Sequence, residues 1–311
     1  MRPATSSSPE SPTGPYVSAA PALDVNSRAR AYYELTKPGI ALFAMMTAGA
    51  GFYVSSAGRP DIVQMFHTLL GMVLATAGAL ALNQYLERDQ DALMHRTRTR
   101  PIPSGRLRPR DALVFGLLLV IGGVAHLWAT VGILPAALTV GSAAAYNLVY
   151  TPLKSRSHTA TFAGAVPGAM PALIGWSAAS GAIEPGAIAL FGIAFIWQIP
   201  HVLALAWLLR EDYARAGFLL SPPADVGGKM IGRLMIVYSA TLIAVSVVPT
   251  ALGVTGMIYL LGAILVGLGF FWRCVGAWRD MSRESVRSVF LGSLAYQPLL
   301  LVLMFADTVR I

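Results

Sequence analysis

The chain has 311 residues, of which 55% are hydrophobic and 12% charged, and its mean hydropathy is +0.61. A soluble domain carries about 25% charged residues, so most of this surface must face something other than water. That excludes a soluble enzyme and a disordered chain, and it excludes a nucleic-acid-binding module despite a formal net charge of +8. A single cysteine, Cys274, cannot close an intrachain disulfide.

Residues 1–30 combine Ser and Pro clusters with no apolar run, and read as a disordered N-terminal tail without the apolar stretch of a signal peptide. Arg and Ser there also resemble a mitochondrial transit peptide. Glu10, Asp24 and five prolines oppose an amphipathic helix, so a bacterial protein is the favoured reading over a mitochondrial one. Residues 31–311 form one membrane domain. Apolar segments at 39–57, 65–86, 112–131, 134–150, 161–179, 186–209, 233–252, 256–273 and 287–306 are each close to the length of helix that crosses a bilayer. The fold class is therefore all-α: a polytopic membrane protein with nine transmembrane helices around a central cavity.

Loop charge orients these helices, because Lys and Arg accumulate in short cytoplasmic loops. With the N-terminus inside, 21 of the 23 basic residues are cytoplasmic, and Arg59 and Arg310 fall outside. The C-terminus then lies outside, and in a bacterium the membrane is the plasma (inner) membrane.

Chemistry-bearing residues concentrate in three places. Asn83, Glu87 and Asp91 follow one another at i, i+4 and i+8, which on a helix makes one row of oxygen donors, with Asp89 off the row. Such a row suits Mg²⁺, which takes one or two carboxylates, waters and the oxygens of a substrate phosphate. Arg96, Arg98 and Arg100 follow, and guanidinium groups match phosphate oxygens. The competing reading is a solvated helix end, where Glu87, Asp89 and Asp91 pair with Arg88, Arg96 and Arg98. Starting the row at Asn83, inside an apolar segment, favours a functional site.

The second place is Tyr146 to Arg156, on the same side: alone, Lys154 and Arg156 would read as positive-inside anchors and Tyr146 and Tyr150 as an aromatic belt, but beside the first cluster Lys154 becomes a further diphosphate donor. The third is Trp197-Gln198-Ile199-Pro200-His201 with Arg210 to Gly217 beyond it. His201 is an ionisable residue within an apolar helix, a functional candidate by default; a histidine bonded to a carbonyl freed by Pro200 is the alternative. His67 and His126 read as packing residues, His95 and His158 as loop residues.

At these residues the sequence resembles the UbiA-type intramembrane prenyltransferases, over about residues 30 to 305, and in particular their haem-using branch. The carriers are Glu34-Leu35-Thr36-Lys37-Pro38-Gly39, the Asn83-x3-Glu87-x3-Asp91 row with its Arg-Pro run, Tyr150 to Lys154, Gly164 to Gly175, and Trp197 to Gly217. Two departures stand out: Glu87 where many members carry Asp, and a second acidic motif reduced to Glu211 and Asp212.

The resemblance implies transfer of a farnesyl group from farnesyl diphosphate to a vinyl group of haem b, with water added. Asn83, Glu87, Asp91 and Lys154 would be the catalytic residues, with Arg96, Arg100, Lys154 and Arg156 on the diphosphate. Mg²⁺ would be the cofactor, ligated by Asn83, Glu87, Asp91 and Asp212. Tyr146, Tyr150 and Trp197 would shield the allylic cation, and His201 would contact haem iron or a propionate, or shuttle a proton. Lipid, and a haem A synthase as a downstream partner, complete the implied associations, with no role for nucleic acid. Two rivals remain: a related prenyltransferase for a phenolic or quinone-precursor acceptor, and an ion-coupled transporter, for which no matching pair of repeats is visible.

Overall fold

A computed structural model describes residues 25–220, 225 and 227–309. The reading of residues 1–24 as a disordered tail, and the placement of Arg310 outside, fall beyond that range. Residues 25–30 belong to a helix, α1 (Val25–Leu35), rather than to the tail. Its last turns bury Ala31 and Leu35 against Ala81, Ile102, Leu107 and Ala112, while Arg30 and Glu34 pair along its surface at 3.3 Å.

The rest of the described chain runs α2 (Pro38–Ser55), α3 (Ile62–Leu86), α4 (Arg88–Leu93), α5 (Pro109–Thr130) and α6 (Ile133–Ala144). A π-helical stretch, Ala145–Tyr150, carries α6 into the short α7 (Thr151–Leu153). Then come α8 (Ala160–Ser180), α9 (Pro185–Leu208), α10 (Arg210–Arg215), α11 (Lys229–Ala251), α12 (Met257–Asp280) and α13 (Arg283–Ala306). Among the described residues nine helical spans, with α6 to α7 counted as one, are long and apolar enough to cross a membrane, so this is a multi-pass membrane protein.

The nine segments read from the sequence correspond one to one with these spans, and three ends differ by four residues or more. Helix α12 continues beyond residue 273 to Asp280, α13 begins at Arg283, and α11 at Lys229. Hydropathy stops at the first basic residue, whereas the backbone helix continues into the interface, where long basic side chains reach out of the apolar layer.

Side chains such as Leu118, Ile121, Leu265 and Val302 stay exposed, as expected of a surface facing lipid. The helices cannot associate by hiding apolar surface from water, so close backbone approach and hydrogen bonds carry the packing. Gly71 and Gly78 of α3 face Gly123 and Gly116 of α5. A Cβ on Gly78 would sit 2.6 Å from the Gly116 carbonyl oxygen. Polar cross-links add to this: Gln297 Nε2 donates to Thr47 Oγ1 at 2.8 Å, and Ser246 and Tyr296 share a 2.9 Å hydrogen bond. Cys274 is buried and free in α12.

Candidate active site

One end of the bundle gathers the residues that the sequence singled out. Helix α3 stops at Leu86, and Glu87 sits at the junction with α4, so the acidic row is not one continuous helix as its spacing predicted. The helical hydrogen-bond register nevertheless survives the break, with Glu87 N–H bonded to Asn83 O at 2.9 Å and Asp91 N–H to Glu87 O at 2.7 Å. The three side chains therefore still point the same way. All are buried, Asp91 completely.

Each of them is held by a different partner. Lys37 Nζ donates to Asn83 Oδ1 at 3.1 Å, while the Asn83 amide donates to Thr151 Oγ1 at 3.1 Å. Glu87 faces Lys154 Nζ at 2.7 Å. Arg100 Nη1 reaches both Asp91 carboxylate oxygens at 2.7 Å. Of the pairings that a solvated helix end would use, only the exposed Arg88–Asp89 contact forms, at 3.8 Å.

These groups line a polar chamber of about 530 Å³ together with Arg96, Gln84, Tyr146 and Tyr150. The loop after α10 covers it with Phe218 and Leu220, fastened by a 2.7 Å hydrogen bond from Leu219 N–H to Lys154 O. Lys154 also sits over the rings of Tyr150 and Phe218, at 4.5 and 5.6 Å from their centroids. Burial works against its charge, but the Tyr150 and Glu87 oxygens outweigh it and hold its pKa above the ordinary lysine value.

Two predicted residues lie elsewhere. Arg156 is exposed and does not line the chamber. Asp212 accepts from His95 N–H and Arg215 and faces a neighbouring depression with Arg210, Glu211 and Arg283. Burial raises its pKa, but the Arg215 and His95 hydrogen bonds prevail and keep it below the ordinary range.

Lys37, Gln84, Tyr213 and Phe218 are chamber residues that the sequence reasoning did not assign to the site. Lys37 precedes a proline and has φ 45°, a left-handed conformation costing about 1–3 kcal/mol in a non-glycine residue. That turn aims its side chain into the chamber. Burial, then the nearby Arg100 charge, lower its pKa to about 7. An unfolded lysine holds its proton up to about pH 10.4, so stability from this group is absent below pH 7 and returns as pH rises toward 10. Between those values the melting temperature of the metal-free protein is expected to rise more in wild type than in Lys37→Met, read by a thermal-shift assay in detergent. Parallel pH curves would refute this.

Beneath the chamber an apolar cavity of about 500 Å³ extends between α2, α3, α8 and α9, and the two share Ile40, Tyr146 and Tyr150. Tyr146 and Tyr150 lie on the π-helical stretch with ring centroids 5.4 Å apart, an irregularity frequent at functional sites. Trp197 and His201 line the apolar cavity, as do the exposed side chains of Ile40 and Leu294 at its lipid-facing rim.

The donor set fits a hard cation. Asn83, Glu87 and Asp91 offer only oxygens, and Gln84 Oε1 is a buried acceptor with no hydrogen-bond partner. Among the described residues no three His, Cys, Asp or Glu side chains cluster to hold an ion. Two carboxylates and an amide would thus need water and substrate oxygens to complete the shell, which is the habit of Mg²⁺.

A bundle of nine membrane spans with a charged chamber opening onto an apolar cavity defines a membrane-embedded enzyme for substrates with an anionic head and a long apolar tail. The chain belongs to the UbiA prenyltransferase family, whose model matches residues 44–297. It is 40% identical to a protoheme IX farnesyltransferase from Solibacter usitatus, over 89% of this chain and 98% of the relative. With one from Koribacter versatilis it shares 37% identity over 93% and 96%. Its fold matches that of a digeranylgeranylglyceryl phosphate synthase, with a TM-score of 0.75 at 17% identity over 91% of this chain and 99% of the other. A UbiA homologue from Archaeoglobus fulgidus bound to GPP and Mg²⁺ superposes with a TM-score of 0.62, at 17% identity over 88% and 99%.

Proposed function

We propose that this protein transfers the farnesyl group of farnesyl diphosphate to a vinyl group of haem b, with addition of water, giving haem O and diphosphate. The observation that carries the reading is the meeting of the polar chamber and the apolar cavity at Tyr146 and Tyr150. Similarity to relatives named protoheme IX farnesyltransferase supports the choice of acceptor.

Asn83, Glu87 and Asp91 would hold Mg²⁺, which when bound supplies positive charge to the diphosphate. Arg96, Arg100 and Lys154, with Lys37 in its protonated form, line the same chamber, so cationic side chains are available as the C–O bond breaks and its electron pair leaves with the diphosphate. Asn83, Asp91 and Glu87 hold Lys37, Arg100 and Lys154 respectively in orientation. The Tyr146 and Tyr150 faces, at the junction, stabilise the allylic cation and exclude water from it. The terminal vinyl carbon then forms the new C–C bond. Water adds to the cation left beside the porphyrin and releases a proton. The farnesyl chain and the porphyrin face both suit the apolar cavity, which they reach from lipid past Ile40 and Leu294.

We place the protein in a bacterial inner membrane with its N-terminus cytoplasmic, as the distribution of Lys and Arg favours, and place a haem A synthase downstream of it. The catalytic domain in this reading begins with α1, at Val25, and takes in the rest of the described chain. The test is incubation of purified protein with haem b, farnesyl diphosphate and Mg²⁺, with and without EDTA, followed by mass spectrometry. A Mg²⁺-dependent haem species heavier by a farnesyl group plus water is expected. Prenylation of a phenolic acceptor with haem unchanged would overturn the choice of acceptor.

A further inference from the structure

Ser293 of α13, which the sequence did not single out, organises the one imidazole of the apolar cavity. Its hydroxyl donates to Phe290 O at 2.6 Å and lies 2.8 Å from His201 Nδ1. A serine hydroxyl has a single proton. With that proton committed to Phe290, the oxygen accepts from Nδ1–H, so His201 is the Nδ1–H tautomer and Nε2 carries a bare lone pair. Among the described residues Nε2 meets no hydrogen-bond partner, and His201 lines the cavity.

The ring is also held in orientation. Trp197 stacks on one neighbour side at 5.3 Å and 19°, Phe290 at 4.9 Å and 26°. Trp197 is itself fixed by a 2.8 Å hydrogen bond from Nε1 to Ser293 O, and stacks on Phe43 at 5.1 Å. An imidazole whose one N–H is anchored and whose other nitrogen is bare is the arrangement of a metal-ligating histidine. A proton shuttle would need a group to hand its proton to, and besides the Tyr146 and Tyr150 hydroxyls no titratable side chain other than His201 itself lines this cavity. The Met72 thioether also borders the cavity, but it is fully buried and packed with Ala48 and Ile174.

We infer that His201 Nε2 is the axial ligand of the haem iron in the acceptor complex, and that Ser293 positions it by fixing its tautomer and ring plane. This rests on haem being the acceptor. Ligation fixes the porphyrin through its iron and so limits which vinyl edge can lie at the Tyr146–Tyr150 junction.

The test uses the full chain in lipid nanodiscs loaded with haem b, read by resonance Raman of the ferrous form and by electron paramagnetic resonance of the ferric form. Wild type is expected to show an iron–imidazole signature, which His201→Gly loses and free imidazole restores. Restoration also shows that the variant is folded. Ser293→Ala should weaken haem binding by about tenfold or more, the usual effect of removing a ligand's hydrogen-bond partner, and Ser293→Thr should recover it. His126→Ala, on the distant α3–α5 pair, should keep the signature. Persistence of the signature in His201→Gly overturns the inference. So does haem O formation by wild type with no imidazole on the iron, although the proposed function then stands. Ligation through His201 without prenyl transfer would instead sink the proposed function and leave the ligand in place.

Discussion

Asp91→Asn is expected to reduce prenyl transfer by about 10²–10³-fold while the protein stays folded, a loss typical of removing one preorganised electrostatic group. Asp91 is fully buried and receives both of its charged hydrogen bonds from Arg100. The amide keeps the size and one acceptor oxygen, so the backbone bond from Thr97 Oγ1 to Asp91 O remains. Lost are the negative charge that a divalent cation needs and the neutralisation of Arg100. The variant should therefore need more Mg²⁺ as well as turn over more slowly. The check is haem O formation across a Mg²⁺ titration, with the melting temperature measured alongside. Activity within about threefold of wild type, well inside the span of an electrostatic role, would remove Asp91 from the metal site. A comparable activity loss is not expected from Asp89→Asn, because Asp89 is exposed and meets only Arg88.

Gly123→Val is expected to destabilise the bundle by about 3 kcal/mol, the upper part of the range for overpacking. A Cβ there would lie 2.5 Å from Gly71 O and 2.6 Å from Ala75 N, backbone atoms of the facing helix that cannot rotate away. Helices α3 and α5 would have to separate, and α3 ends at the acidic row, so activity would fall with stability. The adjacent Gly122 offers the control. A Cβ at that position meets nothing within 4 Å, so Gly122→Val should be tolerated. Denaturant unfolding in mixed micelles compares the two; equal stabilities would mean that the glycine contact does not govern this packing.

Some of the site was legible because its spacing is local. Asn83, Glu87 and Asp91 project together through the helical register, and that register persists across the break at Glu87. Lys154 and the arginines could be nominated by charge and side, yet their partners could not. Glu87 meets Lys154 and Asp91 meets Arg100 because the chain returns from α7 and bends after α4, and no sequence period encodes those returns. Lys37 was hidden for a different reason. In sequence it stands within the Glu34–Gly39 stretch as a basic residue before a membrane span, with no role of its own, and its left-handed backbone turns it inward. Arg156, two residues from Lys154, was an equally good candidate by composition and is exposed.

The sequence by itself determined the bilayer as solvent, the number of spans and the residue types able to meet a phosphate and a hard cation. Those follow from transfer energies and helical periodicity, which depend on neighbours along the chain. Tertiary structure decided which charges meet, where the charged chamber joins the apolar cavity, and which proton His201 carries. These depend on groups brought together from separate helices, such as Ser293 and His201, 92 residues apart. Hydrogen-bond and ion-pair energies fall steeply with distance and angle, so only the packed bundle specifies them.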